Sequence, residues 1–412
     1  MGDDAGTTEH AGRESAAVAP GERLYAGCDP LGYEQLLTEE ERGQLWRLRR
    51  FLDAEARPLL AEYWERAEFP AQLVAPLAAL DLIAPPSLTA GGAATRSLFT
   101  GFRNFELART DASLATFFNG QSGLFRTTIE RGGSAEQVRR WLPPVDSFAT
   151  VGAFALTEPD HGSDVAGGLE TTARREGDTW VLDGRKRWIG SAVLADVLAV
   201  VARDVADGQV KAFLVPRDAP GVELTTITGK TALRMVQNSD ITLRAVRVPE
   251  EDRLARITSF RDVADLLRSM RSGVAWFTAG VQAGAYEAAL GYAGSRVQFG
   301  RPIAGFQLVQ EKLATMLGNT VASLGMAVRV AQQQDAGVYR DQDSAMAKSW
   351  TSVRMRETVA LAREVVGGNG VLLDHDVARF FADAEAIYTY EGTYDVNTLV
   401  VGRAITGISA FT

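Results

Sequence analysis

Apolar residues change their spacing twice along this chain, and that decides which folds are open to it. From Thr38 they recur three and four apart. Leu45, Trp46, Leu48, Phe51 and Leu52 line one helix face, and Thr38-Glu39-Glu40-Glu41 ahead of them has the form of a capping box. The same period runs through 73–82, 98–109 and 115–131, with Pro70, Pro85-Pro86 and Gly132-Gly133 as stops. From about residue 150 the segments become short and rich in β-branched or aromatic residues: 151–156, 169–174, 179–182, 185–189, 197–202, 210–215, 222–227 and 241–248. Turn signals such as Glu176-Gly177-Asp178 and Asp183-Gly184 separate several of them. After Pro249 the helical period returns in four long stretches, near 259–296, 305–334, 342–366 and 375–387.

Helices and strands are thus segregated, which excludes a doubly wound parallel sheet, where they must alternate. The expectation is an α+β multidomain chain. An N-terminal α-helical domain (26–149) precedes a middle antiparallel β-barrel or sandwich domain (150–257) and a C-terminal four-helix bundle (258–412). The 412 residues suit several units, since one core usually takes roughly 100–200. Residues 1–25 show no apolar face and read as a disordered arm.

Charge and residue counts remove several functions. Lys plus Arg number 43 against 52 Asp plus Glu, a net charge of −9, and no basic run is interleaved with aromatics, so no nucleic-acid partner is expected. Cys28 is the one cysteine, which forbids an internal disulfide framework and fits a reducing compartment. His10, His161 and His375 cannot build a standard zinc site with it, and no metal is expected. The acidic N-terminal segment has no apolar stretch of secretory type, and no run approaches the roughly 18 apolar residues of a membrane span. A cytoplasmic protein without a membrane partner is expected.

Five motifs carry chemistry, each with a plainer alternative. Gly367-Gly368-Asn369-Gly370 follows a helix, not a strand, and lacks the third glycine of a dinucleotide fingerprint. It reads either as a helix-ending turn or as bare backbone that lets a phosphate or adenine approach. Residues 157–164 (Thr-Glu-Pro-Asp-His-Gly-Ser-Asp) read as a polar turn or as a loop lining a polar ligand. His161, Ser163 and Asp164 are too close in an extended loop to form a hydrolase relay. Trp188, in Lys186-Arg187-Trp188-Ile189-Gly190-Ser191, is a strand residue of the core or a ring beside a flat cofactor. Arg296 and Arg301, in a break between helices, satisfy carbonyls or hold pyrophosphate. Glu391, between Tyr390 and Gly392, is a solvated carboxylate or a desolvated base.

Taken in order, these motifs resemble the acyl-CoA dehydrogenase family from about residue 35 to the C-terminus. The resemblance rests on Leu156-Thr157-Glu158-Pro159 with Gly162-Ser163-Asp164, on Trp188-Ile189, and on Arg296 with Gln298-Phe299-Gly300 and Pro302. Gly367–Gly370 and Tyr390-Glu391-Gly392-Thr393 complete it. Residues 389–395 and 402–407 are most similar to the glutaryl-CoA dehydrogenase branch. The resemblance implies FAD as cofactor, with Phe154, Leu156, Thr157, Gly162, Ser163, Trp188, Ile189 and Gly190 around the flavin. It places Arg296, Phe299, Gln307, Gly367, Gly368 and Gly370 at the pyrophosphate and adenine across a subunit interface, with Thr393 and Asp395 also near the cofactor. Thr116, Ser163, Arg271, Tyr390 and Gly392 would face the acyl thioester, and Glu391 would be the catalytic base of an α,β-desaturation.

By the same resemblance the chain is a homotetramer that passes electrons to an electron-transfer flavoprotein. Rival readings are an acyl-CoA oxidase using oxygen, a dehydrogenase acting on a carrier-protein thioester, and a flavin-binding scaffold without turnover. Two positions depart from the family pattern. Ala115 stands where glutaryl-CoA dehydrogenases place an arginine for the distal carboxylate, so an uncharged short or branched acyl chain is expected rather than glutaryl-CoA. Gly190 replaces a common threonine, removing a hydroxyl from the flavin site.

Overall fold

The computed structural model describes residues 23–90 and 94–410. The capping box at Thr38 forms as expected: Thr38 Oγ1 accepts from Glu41 N at 3.2 Å and Glu41 Oε2 accepts from Thr38 N at 2.8 Å. It starts α1 (Glu39–Phe51), which is followed by α2 (Arg57–Arg66), α3 (Val74–Ala78), α4 (Ser97–Thr110), α5 (Ala112–Asn119), α6 (Arg126–Gly132) and α7 (Ala135–Asp146). Of the expected arm, residues 1–22 lie outside the described residues. Leu24 and Tyr25, assigned to it, are instead buried; Tyr25 stacks on Phe102 and meets Phe105 edge-on. Aromatic area of that size is worth burying even without a helical period around it.

The middle region contains β1 (Gly152–Ala155), one helical turn α8 (Val165–Gly168), β2 (Thr172–Glu176), β3 (Thr179–Ile189), β4 (Val197–Asp204), β5 (Val210–Pro216), β6 (Val222–Thr226) and β7 (Ser239–Pro249). Two expectations fail here. Asp183-Gly184 is no turn: β3 runs through it as a bulge against β7, with Gly184 at φ 151°. A Cβ on Gly184 would sit 2.6 Å from Thr171 Oγ1, and Asp183 Oδ1 accepts from Ala245 N at 2.7 Å, so both residues serve the bulge. Nor is the sheet wholly antiparallel. β4 runs parallel to both β1 and β2, pairing Gly152 with Val197 and Thr172 with Arg203, and antiparallel to β5.

The cause is the polar connection at 156–171, which leaves β1 and re-enters as β2 in the same direction along one edge of β4. β4 is buried on both faces, which is why it reads as a continuous apolar run. Val197, Ala199 and Val201 face a cluster with Phe125, Ile129 and Met270, while Leu198, Val200 and Ala202 face Trp180, Phe213 and Ile241.

The last third holds α9 (Phe260–Ser295), a two-residue hairpin β8 (Val297–Gln298) and β9 (Arg301–Pro302), α10 (Gln307–Asp335), α11 (Asp341–Val366), α12 (Val377–Thr389) and α13 (Tyr394–Thr406). α13 is a fifth helix that periodicity missed, because Asn397 is its one buried residue and no apolar stripe marks it. α4 packs on α9 and α10 and so joins the N-terminal helices to the bundle. Among the described residues α10 is long and apolar enough to cross a membrane. Its Leu313, Met316, Leu324, Ala327 and Val328 belong to the bundle core.

Candidate active site

Asp111 fixes one wall. Its Oδ1 accepts from Ser113 N and Leu114 N at 2.8 and 3.0 Å, capping α5, and its Oδ2 lies 3.6 Å from Arg379 of α12. α5 then presents Thr116 and Asn119, three residues apart, on one face. Thr116 returns its hydroxyl to Ala112 O at 2.8 Å, and Asn119 Nδ2 donates to Glu391 Oε1 at 3.2 Å. Ala115, buried beside them, brings no charge.

Glu391 lies in the break between α12 and α13. Its φ is 51° and that of Gly392 is 92°, and a Cβ on Gly392 would meet Asn397 Nδ2 at 2.9 Å. Two consecutive left-handed residues reverse the chain so tightly that Glu391 is turned inward. Asn397 Nδ2 supports the reversal by donating to Gly392 O and Thr393 O at 2.8 and 3.0 Å. Thr393 caps α13 through Val396 N at 3.2 Å, and Asp395 is exposed on that helix's first turn.

Burial pushes the Glu391 carboxyl up, Arg271, Lys348 and the Asn119 amide pull it back, and it settles at about 7. Its Oε2 is buried with no partner among the described residues, and its own N–H finds no acceptor there either. A carboxylate of this kind is half ionised near neutrality and has a free oxygen, as a general base requires. Arg271 is held by Asp341 at 2.6 Å, while its Nε is buried and unpaired. The Tyr390 phenol, buried beside the carboxylate, is pushed above its ordinary value first by burial and then by Glu391.

A second group gathers on the sheet. Glu158 is buried and accepts from Glu170 N, Thr171 N and Lys186 Nζ at 2.6, 2.9 and 2.8 Å; Lys186 also donates to Leu156 O at 3.0 Å. Burial raises the Glu158 carboxyl, but Lys186 and the two N–H donors hold it below the ordinary range. This pair anchors both ends of the polar loop, leaving Gly162 and Ser163 exposed and Thr157 half-buried. His161 is tied to Asp164 at 2.8 Å, not to Ser163. Trp188 is not a core residue. It is 51% exposed at φ 62°, where β3 shifts register, with the Arg187 guanidinium 5.1 Å from its ring centroid. Leu156 and Ile189 are buried, Phe154 and Gly190 half-buried, and a Cβ on Gly190 would find nothing nearer than Val236 Cγ1 at 3.5 Å.

One segment ties the two groups together. Asn238 Nδ2 donates to Trp188 O at 3.1 Å, and Leu233 N donates at 2.6 Å to Asp383 on α12, the helix that leads into Glu391. An exposed indole, a half-buried Gly190 beside it and a hydroxyl-bearing loop fit a flat polar cofactor, and the orphaned Glu391 oxygen fits a ligand beside it.

Arg296, Phe299, Gln307 and the Gly367–Gly370 turn form a separate cluster. Asn369 Nδ2 donates to Tyr292 Oη at 3.1 Å, and Ile303 N to Arg296 O at 2.9 Å, which brings these segments to one end of the bundle. Arg296 to Arg271 spans 25 residues of α9, about 37 Å at 1.5 Å per residue. The two groups are therefore apart within one chain. Phe299 is 94% exposed and Leu308 78%, with Val297, Val371 and Leu372 exposed on the same segments.

Sequence reasoning missed Asn119 and Lys348. Neither sits in a motif, and only proximity in space marks them.

Three family models match in succession: the acyl-CoA dehydrogenase N-terminal domain over 38–148, the middle domain over 153–246 and the C-terminal domain over 260–406. The 3-(aryl)acrylate reductase of Clostridium sporogenes is 32% identical over 360 residues, 86% of this chain and 95% of that protein. The human mitochondrial short-chain specific acyl-CoA dehydrogenase is 32% identical over 372 residues, 89% of this chain and 90% of that protein. A crystal structure of a glutaryl-CoA dehydrogenase from Mycobacterium smegmatis in complex with FADH2 superposes with a TM-score of 0.88 at 31% identity, covering 94% of this chain and 100% of the other.

Proposed function

Since the chain belongs to the acyl-CoA dehydrogenase family, a family of FAD-dependent oxidoreductases, we propose that it desaturates an acyl thioester at the α,β bond with Glu391 as the base. The observation that carries this is the Glu391 carboxyl itself: buried, near 7, with one oxygen held by Asn119 and the other free. A thioester α-hydrogen is weakly acidic, so its removal needs a positioned carboxylate and a donor for the developing enolate oxygen. The free N–H of Glu391 is that donor. Thr116, Tyr390 and Gly392 flank the acyl chain, and Arg271 lends positive charge. The α-proton goes to Glu391 as the C=C bond forms. FAD, when bound, supplies the acceptor for the β-hydride. Thr157, Ser163, Trp188 and Gly190 would hold it.

The substrate we infer is an uncharged short or branched acyl-CoA. Ala115 provides no guanidinium for a distal carboxylate, and Arg271 is already paired through one nitrogen with Asp341, so a charged acyl end would be buried without a partner of its own. We also infer a homotetramer with an electron-transfer flavoprotein as acceptor. The exposed apolar side chains around Phe299 and Val371 support a second subunit there, which would bring Arg296, Gln307 and Gly367–Gly370 to its neighbour's cofactor.

An anaerobic screen of acyl-CoA thioesters, read by flavin absorbance, tests the proposal. Bleaching with short or branched chains and no CO₂ from glutaryl-CoA are expected. A yellow protein that no thioester bleaches refutes turnover, rapid CO₂ release refutes the substrate reading, and peroxide formed in air marks an oxidase. Acyl pantetheine on a carrier protein, run alongside, tests the choice of CoA.

A further inference from the structure

Two lysines rank among the largest fully buried side chains of the described residues, Lys186 and Lys348, and they are solvated by the protein in different ways. Lys186 has a carboxylate at 2.8 Å. Lys348, on α11, has no carboxylate within salt-bridge distance among the described residues. Its Nζ donates instead to two main-chain carbonyls, Tyr388 O at 2.6 Å and Gly392 O at 2.8 Å. A buried ammonium is costly unless its donors are used, and here they are spent on one short segment.

Those carbonyls bracket Glu391. Tyr388 O belongs to the last turn of α12, where helix carbonyls lose their intrahelical partners and a cation is favoured. Gly392 O follows the left-handed pair that turns Glu391 inward. Between them the segment has no regular structure, and among the described residues Asn397 is the other side chain that grips Gly392.

We infer that Lys348 is the positioning residue of the base: its ammonium clamps both sides of Glu391 and sets a positive charge against the carboxylate. The inference rests on the reading of Glu391 as the base.

The charges around the pair are few. Arg271 of α9 faces both Glu391 and Lys348 but is held by Asp341. Asn119 of α5 is neutral. From α12 come the Tyr388 ring, 5.9 Å from Nζ, with Arg356 of α11 also over that ring, 4.6 Å from its centroid; Asp383 acts on the neighbouring Tyr390 phenol. Burial pulls the Lys348 ammonium down, Glu391 is the anion that opposes it, and the ammonium settles at about 8. Carboxylate and ammonium therefore support each other's ionisation at neutral pH.

Three substitutions separate clamp from charge. Lys348→Met removes both, Lys348→Gln keeps a donor without charge, and Lys348→Arg keeps both. Two readouts are used on the FAD-loaded protein: amide hydrogen exchange of 388–393, which needs no substrate, and the pH profile of flavin reduction by a thioester. In Lys348→Met, exchange rises about tenfold or more, the loss expected for one hydrogen bond. The acidic limb, set by deprotonation of Glu391, moves up by about one pH unit, as for removal of a nearby opposite charge. Lys348→Gln moves the limb with little effect on exchange, and Lys348→Arg leaves the limb near wild type. Wild-type exchange and an unmoved limb in Lys348→Met overturn the inference. Should that variant fail to fold, equal limbs in the Gln and Arg variants overturn it. If wild type reduces with no thioester, the dehydrogenase reading fails, and the exchange measurement still decides the clamp.

Discussion

Replacing Glu391 by glutamine should abolish catalysis and stabilise the protein, with the gain confined to pH values where the carboxyl would be ionised. Glutamine keeps the shape and still accepts from Asn119 Nδ2, so packing is nearly unchanged. Raising a carboxyl from 4.5 to about 7 costs its ionised form about 3 kcal/mol in the folded state, at about 1.4 kcal/mol per pH unit. The sign follows from the folded value lying above the unfolded one: the native protein holds this proton more tightly. Its contribution is intact below about 4.5 and is lost as pH rises through 7. Against the non-titrating glutamine, wild type is therefore weaker by about 3 kcal/mol at pH 8 and by less than about 1 kcal/mol at pH 5. With about 2.1 cal/mol/K of unfolding entropy per residue over 412 residues, the pH 8 difference is about 4 °C in Tm. Melting both proteins at equal concentration with saturating FAD, at pH 5 and pH 8, measures it. An equal Tm difference at the two pH values, or a glutamine variant no more stable at pH 8, would show that the carboxyl is not desolvated. Flavin bleaching at near wild-type rate in Glu391→Gln would remove it from the base role.

Asn119→Leu deletes the one hydrogen bond to the carboxylate found among the described residues, worth about 1.5 kcal/mol for a charged acceptor, so the acidic limb of flavin reduction should rise by about one pH unit; an unmoved limb contradicts the contact. Lys186→Met leaves Glu158 buried without its cation and should cost about 3–5 kcal/mol in urea denaturation while weakening FAD binding in a fluorescence titration, because the polar loop loses its anchor. Gly184→Ala forces a Cβ against Thr171 at φ 151° and should cost about 2 kcal/mol or more by the same denaturation assay; a wild-type midpoint would dispose of the bulge.

Much of the architecture was open to reading from residue spacing, since α1 and its Thr38 cap, the short strands and four long bundle helices follow from local period and turn chemistry. The Asp183-Gly184 pair misled, because the same residues suit a tight turn and a bulge; only Thr171, pressed against Gly184, decides between them. Residue pattern left Trp188 open between a core place and a cofactor place for a similar reason. A tryptophan inside a strand pattern is ordinarily core, and the register shift that exposes it is set by pairing with β7.

What the chain determined by itself is the succession of helical, β and helical regions and the identity of the acid at 391, both carried by local pattern and by motifs in a fixed order. The tertiary structure decided the rest. It made the sheet mixed, through the return of β2 beside β4, and it joined Asn119, Lys348 and Glu391 from α5, α11 and the α12–α13 break. Periodicity records which face of an element is apolar, whereas the proton affinity of a carboxyl depends on which charges and how much protein lie within a few Å of it, and those neighbours come from separate elements, Asn119 from 272 residues away.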